Sequence, residues 1–367
     1  MNGLSASWLA YAKGEPSRLR CLSAPLRIAS SCFQALSGCR QKGYELGWLP
    51  SVRLPAPTIS IGNITVGGTG KTTFASWLAG NLIAGGYKPA VILRGYGAKV
   101  SAPRVITADN QGGEEALLLA GCVPEAVIVE SPTRWLGARL AIKEHGCDTV
   151  ILDDGYQHRA IQRDLDIVLV DALCPWGNGN LLPAGLLRES RQALSRADAV
   201  ILTRADMVET ETARILLDET ARFAPQAVIA TAAHTPTHLL SFTDDRRIEA
   251  NQLAGRRVGL CSAIGNPEAF ERTMRELGAE ILGYLTFRDH HHYTARDIGL
   301  ICERFQETEM MVCTSKDAVK LRPLLDRTSG GKFWSLGVEW RFLSGEESVR
   351  GRIMLEMRNA ECGLRNI

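Results

Sequence analysis

The sequence lacks three features, each of which would have pointed to a class of protein. None of its ten cysteines stands in a CxxC pair, and their scatter along a long chain favours packed thiols in a reduced, cytosolic protein. No apolar run approaches the ~18 to 20 residues of a membrane-spanning helix, and no apolar segment behind a basic start marks a cleaved signal peptide. The 42 basic residues nearly balance the 40 acidic ones, which argues against a dedicated nucleic-acid-binding protein.

The composition is that of a folded protein with more than one typical hydrophobic core. The 367 residues are 45% hydrophobic, 22% charged and 6% aromatic, which excludes disorder and permits a sizeable core. A chain of this length predicts two lobes, or one large α/β domain with an appendage.

Positive charge is concentrated in the first 53 residues, which hold seven basic residues against two acidic ones. Here apolar residues recur at helical spacing and predict one face of an amphipathic helix: Leu22, Leu26, Ala29, Phe33 and Leu36. Arg27, Gln34 and Arg40 occupy other directions. Two interpretations remain open from these residues. The helix packs on the protein's own core, or its apolar face enters a bilayer surface while the arginines meet anionic headgroups.

From Pro55 onward, short apolar runs alternate with helical stretches. The runs that read as buried strands are 58–61, 90–93, 149–152, 167–170 and 200–203. Nearly continuous apolar runs are typical of parallel strands covered on both faces. The pattern predicts an α/β fold with a doubly wound, mostly parallel sheet, whose ligands bind beyond the carboxyl ends of the strands.

The alternation resumes after a polar interval around residues 235–247, which predicts a second, smaller α/β lobe. The expected division of the chain is a basic amphipathic segment over 1–50, a core over 51–230, the smaller lobe over 231–345 and a tail over 346–367.

One glycine-rich segment follows a predicted strand and opens a predicted helix. It consists of Thr65, Val66, Gly67, Gly68, Thr69, Gly70, Lys71 and Thr72. Such glycines let backbone N–H groups point into one concavity at a helix N-terminus, while the lysine reaches the β- and γ-phosphates and the hydroxyl binds Mg²⁺. Thr65 stands where GxxxxGK[ST] has its first glycine, yet the strand-loop-helix context predicts a nucleotide-binding loop like that of P-loop NTPases.

Two further segments carry charged side chains suited to phosphoryl chemistry. Asp153 and Asp154 end an apolar run, and carboxylates on Mg²⁺ are the normal partners of a phosphate loop; the alternative is an ordinary solvated turn. Arg188 and Glu189 end a glycine- and proline-rich loop. Arg188 has the geometry to bind phosphate, and Glu189 the charge to hold a metal or the lysine; a surface ion pair is the alternative.

The remaining clusters are less specific. Three consecutive histidines at 290–292 cannot all face one metal, so Asp289 and His290 are interpreted as a carboxylate-imidazole pair that orients a base, with solvated turn residues as the alternative. Thr203 to Asp206 faintly resembles the base-reading element of GTPases. Because the spacing around Asp153 does not match the DxxG element of GTPases, GTP specificity is not expected.

Taken in order, these motifs resemble one family, the tetraacyldisaccharide 4'-kinases. The resemblance runs from about residue 57 to residue 336, and family members also have threonine or serine at the position of Thr65. Further matching segments are Gly62-Asn63, Arg94 to Gly97, Gly265 to Pro267 and Thr314 to Leu321. Each segment is weak alone, whereas their shared order is specific.

The resemblance implies ATP- and Mg²⁺-dependent phosphorylation of the 4'-hydroxyl of the tetraacyl glucosamine disaccharide 1-phosphate, which forms lipid IVA in lipid A biosynthesis. It also implies an active site between two lobes and a peripheral enzyme at the cytoplasmic face of the bacterial inner membrane. The N-terminal helix would hold the enzyme on that anionic surface. A monomer without a nucleic-acid partner is expected.

Carried over by position, Lys71 and Thr72 match the phosphate-loop lysine and the metal-binding hydroxyl, and Asp153 and Asp154 match the acidic pair near Mg²⁺. The resemblance therefore implies a magnesium site formed by Thr72, Asp153, Asp154 and Glu189.

On the catalytic side, Arg188 and Glu189 match the family's active-site Arg-Glu, and His290 matches the histidine that pairs with a catalytic aspartate. Glu114 replaces that aspartate here. Because glutamate is one methylene longer, either the loop retracts or Glu114 is a poorer base.

The rival hypothesis is a membrane-associated ATPase switch in which hydrolysis drives assembly and no lipid is phosphorylated. A soluble small-molecule kinase is a third possibility, which the basic amphipathic start disfavours.

Overall fold

The computed structural model describes residues 3–95, 100–107, 112–289, 291–325 and 329–364. Its helices are α1 (Gly3–Lys13), α2 (Ser23–Glu45), α3 (Lys71–Ala84), α4 (Glu114–Cys122), α5 (Arg134–His145), α6 (Thr210–Phe223), α7 (Pro267–Glu276), α8 (Ala295–Arg304), α9 (Ser315–Leu321) and α10 (Glu346–Leu364). Its strands are β1 (Thr58–Gly62), β2 (Pro89–Leu93), β3 (Arg104–Ile106), β4 (Val127–Glu130), β5 (Thr149–Leu152), β6 (Leu165–Asp171), β7 (Ala199–Thr203), β8 (Val228–Ser241), β9 (Arg247–Glu249), β10 (Arg257–Ser262), β11 (Glu280–Thr286), β12 (Met310–Thr314) and β13 (Phe333–Ser344).

All of these strands belong to one sheet in the order β11-β10-β12-β13-β8-β7-β6-β1-β5-β2-β4-β3, with β9 paired to β8. Neighbours along it are parallel except at β13/β8 and β3/β4. The mostly parallel α/β sheet predicted from the apolar runs is therefore confirmed. Strand β1 lies between β5 and β6, so the carboxyl ends of these strands meet at one edge, where a ligand site is expected.

The core explains why the central strands read as continuous apolar runs. All five residues of β1 are buried, because helices cover both faces of a doubly wound sheet. Ile59 and Ile61 pack in one hydrophobic cluster with Phe74 and Leu78 of α3. Full burial of each such side chain stabilises the fold by about 1.5–3 kcal/mol relative to exposure, and this packing fixes the start of α3 against the end of β1.

The two parts of the sheet meet at the long antiparallel pair of β8 and β13. The predicted lobe boundary near residue 231 lies inside β8, and much of the expected polar interval is strand. Residues 234–238 of β8 are only partly buried, so this stretch carries polar side chains. It is strand nevertheless, because pairing with β13 satisfies its backbone groups whatever its side chains are.

Helix α2 is exposed along most of its length, and its buried residues are Ser30 and Gly43. The Ser30 hydroxyl donates to the Leu181 carbonyl at 2.7 Å. Ile28 and Leu36 are 68% and 72% exposed, and Trp48 beyond the helix is 77% exposed. Among the described helices, none combines the length and apolarity needed to cross a membrane.

Candidate active site

The glycine-rich segment connects β1 to α3 as predicted. Gly67 and Gly70 have φ angles of 124° and 88°, a left-handed region that L-residues with a Cβ rarely adopt. Gly70 is the N-cap of α3 and no side chain caps this helix end. The first N–H groups of α3 are therefore available to an anion, as are those of a phosphate-binding loop.

The second loop, which ends at Arg188, packs along the glycine-rich segment. The Val66 N–H donates to the Leu186 carbonyl at 2.8 Å, and the Arg188 N–H donates to the Ile64 carbonyl at 2.7 Å. Thr65 and Leu187 form an isolated bridge. These bonds place the Arg188 side chain beside the start of α3.

Lys71, Asp154 and Arg188 meet at the carboxyl edge of the sheet. The Lys71 Nζ lies 3.4 Å from Asp154 Oδ1, and Arg188 Nη1 lies 2.9 Å from Asp154 Oδ2. Although burial opposes it, the charges of Lys71 and Arg188 hold the pKa of Asp154 below its ordinary value. Two cations thus converge on one carboxylate at the N-terminus of α3, which gives this site positive charge for phosphate oxygens.

Asp153 is the buried member of the acidic pair and is 3% exposed. Burial, with a further contribution from the Glu115 carboxylate, raises its pKa. Arg134 of α5 holds the turn by donating to the Asp153 and Asp154 carbonyls at 2.9 and 3.1 Å. An ionised carboxylate in this position requires a nearby cation to offset its desolvation.

The oxygen donors here suit Mg²⁺. The Thr72 and Asp153 side chains are buried near the start of α3 and the end of β5, and Mg²⁺ takes oxygen ligands. Across the described ranges, no three His, Cys, Asp or Glu side chains converge as a metal-binding group.

Glu189 pairs with a different residue from the one its neighbour Arg188 contacts. Its Oε2 lies 2.8 Å from Arg196 Nη2. Its Oε1 is buried without a hydrogen-bond partner among the described residues. The ion pair of Glu189 is thus with Arg196 and largely buried, whereas the sequence alternative was a surface pair at the adjacent Arg188 and Glu189.

Glu114 begins α4, and its carboxylate meets a lysine that is distant in sequence. Lys320 Nζ of α9 lies 3.1 Å from Glu114 Oε2, and the two side chains are 13% and 11% exposed. A second pair joins the same two helices, since Lys316 Nζ, one turn before Lys320, lies 3.1 Å from Glu115 Oε1. These two ion pairs join α4 to α9, so a helix from the C-terminal part of the chain holds the acidic start of α4.

His290 lies outside the described residues. Its neighbour Asp289 approaches the tip of the glycine-rich loop, because a Cβ added at Gly265 would lie 3.3 Å from Asp289 Oδ2 and 4.0 Å from the Gly68 nitrogen. His291 is 3.2 Å from Asp297, a residue that also caps α8. This contact gives His291 a structural role.

Sequence reasoning assigned no role to several residues of this site. These are Asn63, Glu115, Arg134, His234, Lys316 and Lys320. The lysines belong to the segment from Thr314 to Leu321 that contributed to the family resemblance, and this segment was the available signal. Asn63 is fully buried, and its Oδ1 accepts from Lys71 Nζ at 3.4 Å.

Several of the buried polar atoms that lack a hydrogen-bond partner in the described structure lie in or beside the glycine-rich loop. They include Asn63 Nδ2, Thr69 Oγ1 and His234 Nε2. Leaving one such group unpaired costs about 1–3 kcal/mol. A cluster of them at one loop is the signature of a polar site that a ligand or water completes.

The chain is similar to a family of known proteins. The family described as tetraacyldisaccharide-1-P 4'-kinase matches residues 22–357. A tetraacyldisaccharide 4'-kinase of Syntrophus aciditrophicus is 41% identical over 82% of this chain and 84% of its own length. One from Anaeromyxobacter dehalogenans is 38% identical over 96% and 95%. A crystal structure of Aquifex aeolicus LpxK in complex with ATP superposes with a TM-score of 0.73 and 27% identity, covering 92% of this chain and 99% of that one.

Proposed function

The chain belongs to the tetraacyldisaccharide-1-P 4'-kinase family, and from that membership we infer that it is an ATP-dependent lipid kinase of lipid A biosynthesis. It transfers the γ-phosphoryl group of ATP to the 4'-hydroxyl of the tetraacyl glucosamine disaccharide 1-phosphate, and the product is lipid IVA. The observation that carries this function is the meeting of Lys71, Asp154 and Arg188 at the uncapped start of α3.

In this proposal the triphosphate lies on residues 65–72. Backbone N–H groups at the start of α3 donate to its oxygens, and Lys71 and Arg188 offset the negative charge that shifts toward the β–γ bridging oxygen. The bond from the 4'-oxygen to the γ-phosphorus forms as the bond from that phosphorus to the bridging oxygen breaks, and ADP leaves. Because the transition state is loose, positioning and charge neutralisation supply most of the catalysis.

Thr72, Asp153, Asp154 and Glu189 are the proposed oxygen donors for Mg²⁺. Thr72 and Asp153 are favoured, because Asp154 pairs with Arg188 and Glu189 pairs with Arg196. A Mg²⁺ held by these residues would offset the negative charge of the phosphate oxygens. A cation here would also stabilise the ionised form of the buried Asp153.

Glu114 is the proposed general base that accepts the proton of the 4'-hydroxyl. Lys320 keeps its carboxylate paired and oriented, and the family resemblance implies that His290 assists. A base in this position removes the proton as the new phosphorus–oxygen bond forms. Because Glu114 comes from the N-terminal half and Lys320 from the C-terminal half, the proposed site lies between two lobes, with the division near residue 231.

We further propose that the enzyme is a monomer that lies on the cytoplasmic face of the bacterial inner membrane. The support is the apolar surface of the N-terminal segment, where Ile28, Leu36 and Trp48 are largely exposed. Such side chains on a helix with basic neighbours suit insertion into the interface of an anionic bilayer.

The decisive assay supplies the full-length protein with γ-labelled ATP, Mg²⁺ and the tetraacyl disaccharide 1-phosphate in mixed micelles. The expected result is label in the lipid fraction. Label that appears only as free phosphate would contradict the kinase function and support the ATPase switch. Omission of Mg²⁺ with a chelator present should abolish transfer, and transfer at the full rate without it would contradict the proposed metal site.

A further inference from the structure

Three polar side chains on or directly after strands β6, β7 and β8 lie on one side of the phosphate loop, and the mechanism above uses none of them. Asp171 ends β6, Arg204 follows β7, and His234 lies within the neighbouring β8. The strands are adjacent and parallel, with Asp171 opposite Thr203 in the register. The sheet therefore brings residues that are far apart in sequence to one side of the loop.

Arg204 joins this group to the loop backbone. One of its nitrogens, Nη1, pairs with the Asp171 carboxylate, and the other, Nη2, donates to the Gly68 carbonyl at 2.7 Å. The Arg204 and Asp171 side chains are 12% and 13% exposed. Arg204 itself has a φ angle of 54°, a left-handed conformation that is uncommon for a residue with a Cβ. The contact to Gly68 thus rests on a charged, well-anchored side chain.

The bond to the Gly68 carbonyl also sets the direction of the next N–H. In a planar trans peptide, the carbonyl and the following N–H point in opposite directions. The Thr69 N–H must therefore point away from Arg204, and no group in the described ranges accepts a hydrogen bond from it. A glycine-rich segment has many accessible backbone conformations, so a fixed peptide here lowers the entropy lost when phosphate binds.

His234 supports the same loop from another side. A Cβ added at Gly70 would lie 2.2 Å from His234 Nε2, so the imidazole occupies the space that any larger residue would need. Burial and the nearby charge of Arg204 lower the pKa of His234 to about 3. The imidazole is therefore neutral at physiological pH and does not repel the guanidinium.

We propose that Arg204, anchored by Asp171, is a positioning residue that holds the Gly68–Thr69 peptide ready for the triphosphate. This inference rests on the proposed function, because it assigns the loop to ATP. Arg204 does not touch the reacting atoms in this scheme. It acts through the loop, so its loss should weaken nucleotide binding far more than lipid binding.

The test compares Arg204→Met with Arg204→Lys and Asp171→Asn in the full-length enzyme. Equilibrium binding of MgATP is measured by calorimetry, and KM for ATP, KM for the lipid and kcat are measured by label transfer. Arg204→Met keeps an aliphatic side chain but removes the charged hydrogen bond to Gly68. The loss of that bond should raise the Kd and the KM for ATP about tenfold. Arg204→Lys should have an ATP affinity between those of Arg204→Met and the wild type, and so should Asp171→Asn. Arg214→Met, which removes an exposed arginine of α6 that pairs with Glu211, should match the wild type.

An unchanged Kd for MgATP in Arg204→Met would overturn the proposal. So would an equal rise in the KM for lipid together with a large fall in the melting temperature, because both indicate a general structural role. Failure of the kinase function itself is distinguishable, since the wild-type protein would then bind MgATP without transferring label to the lipid.

Discussion

The phosphate loop and helix α2 place polar and apolar groups in opposite ways. Around the loop, polar side chains are buried and several lack partners, as with Thr69 Oγ1 and His234 Nε2. On α2, apolar side chains such as Ile28 and Leu36 face outward. Either arrangement costs free energy in water unless something else completes it. Under the proposed function, the loop binds the charged triphosphate and the exposed apolar side chains of α2 contact the bilayer.

Helix α2 contacts the loop that ends at Arg188 through the hydrogen bond from Ser30 to Leu181. Because Ile28 and Leu36 are exposed, changes to these side chains should leave the phosphate loop working. Lys71→Ala and Leu36→Glu test this independence directly, because each variant lies in one region and is also measured for the property of the other.

The largest effect is expected for Lys71→Ala, which removes the lysine of the phosphate loop that lies 3.4 Å from Asp154. Loss of one preorganised charge at a phosphoryl-transfer site lowers kcat by about 10³-fold. Vesicle binding should be unchanged. Label transfer and vesicle sedimentation measure the two properties, with Lys143→Ala on the surface of α5 as the control. Retention of more than a tenth of wild-type turnover would contradict the assignment of Lys71.

The next effect is on the chemical step alone. Glu114→Gln removes the proposed base while it preserves size, so kcat should fall by about 10²-fold. Binding of MgATP should stay close to that of the wild type, because the residue acts on the acceptor hydroxyl. Single-turnover transfer and calorimetry separate the two quantities. An equal loss in both would indicate that Glu114 is structural, through its ion pair with Lys320.

On the helix, Leu36→Glu should weaken binding to anionic vesicles by at least about tenfold, since burial of one such side chain is worth about 1.5–3 kcal/mol. Its melting temperature and MgATP affinity should match those of the wild type, because Leu36 is exposed. Gln34→Glu adds the same charge on the opposite side of the helix and serves as the control. If both variants bound vesicles equally well, the apolar face of α2 would not be the membrane contact.

The smallest effect concerns the pH dependence of stability. The pKa of His234 is lowered to about 3 by burial and Arg204, whereas an unfolded chain has a histidine pKa of about 6.5. As the pH falls below about 6.5, the His234 imidazole binds a proton in the unfolded state but stays neutral in the folded state. His234 therefore makes the folded protein less stable at lower pH.

Between pH 7 and pH 5, His234 should therefore reduce the free energy of unfolding by about 2 kcal/mol. His234→Gln lacks this contribution, and its loss over the same range should be smaller by that amount in denaturant titrations. Parallel pH profiles for the two proteins would show that His234 is protonated in the folded state.

Local sequence was sufficient for the phosphate loop. The turn at Gly67 and Gly70, the lysine and the flanking strand and helix all lie within residues 58–84, and each is recognisable from short-range geometry. The acidic pair at Asp153 and Asp154 was recognisable for the same reason, as a polar end to a buried strand. These are properties of backbone conformation and burial, which short segments encode.

Local sequence could not supply the partners of these residues. The pairing of Glu114 with Lys320 and of Glu115 with Lys316 joins helices that are distant along the chain. Glu189 was expected near the metal or the lysine, yet its closest partner is Arg196. Arg204 was considered only as a base-reading residue, whereas its guanidinium holds a loop carbonyl. Such contacts depend on strand order, which no short segment contains.

The amino-acid sequence by itself determined the periodic apolar strands, the glycine turn and the amphipathic start of this protein, because each follows from interactions between near neighbours. Only the tertiary structure decided which charges meet. The order of strands β8-β7-β6-β1 brings His234, Arg204 and Asp171 to the phosphate loop, and the packing of α4 on α9 joins the acidic and basic residues of the proposed base. Ion pairs form between side chains that the fold brings within a few ångströms, whatever their separation along the chain.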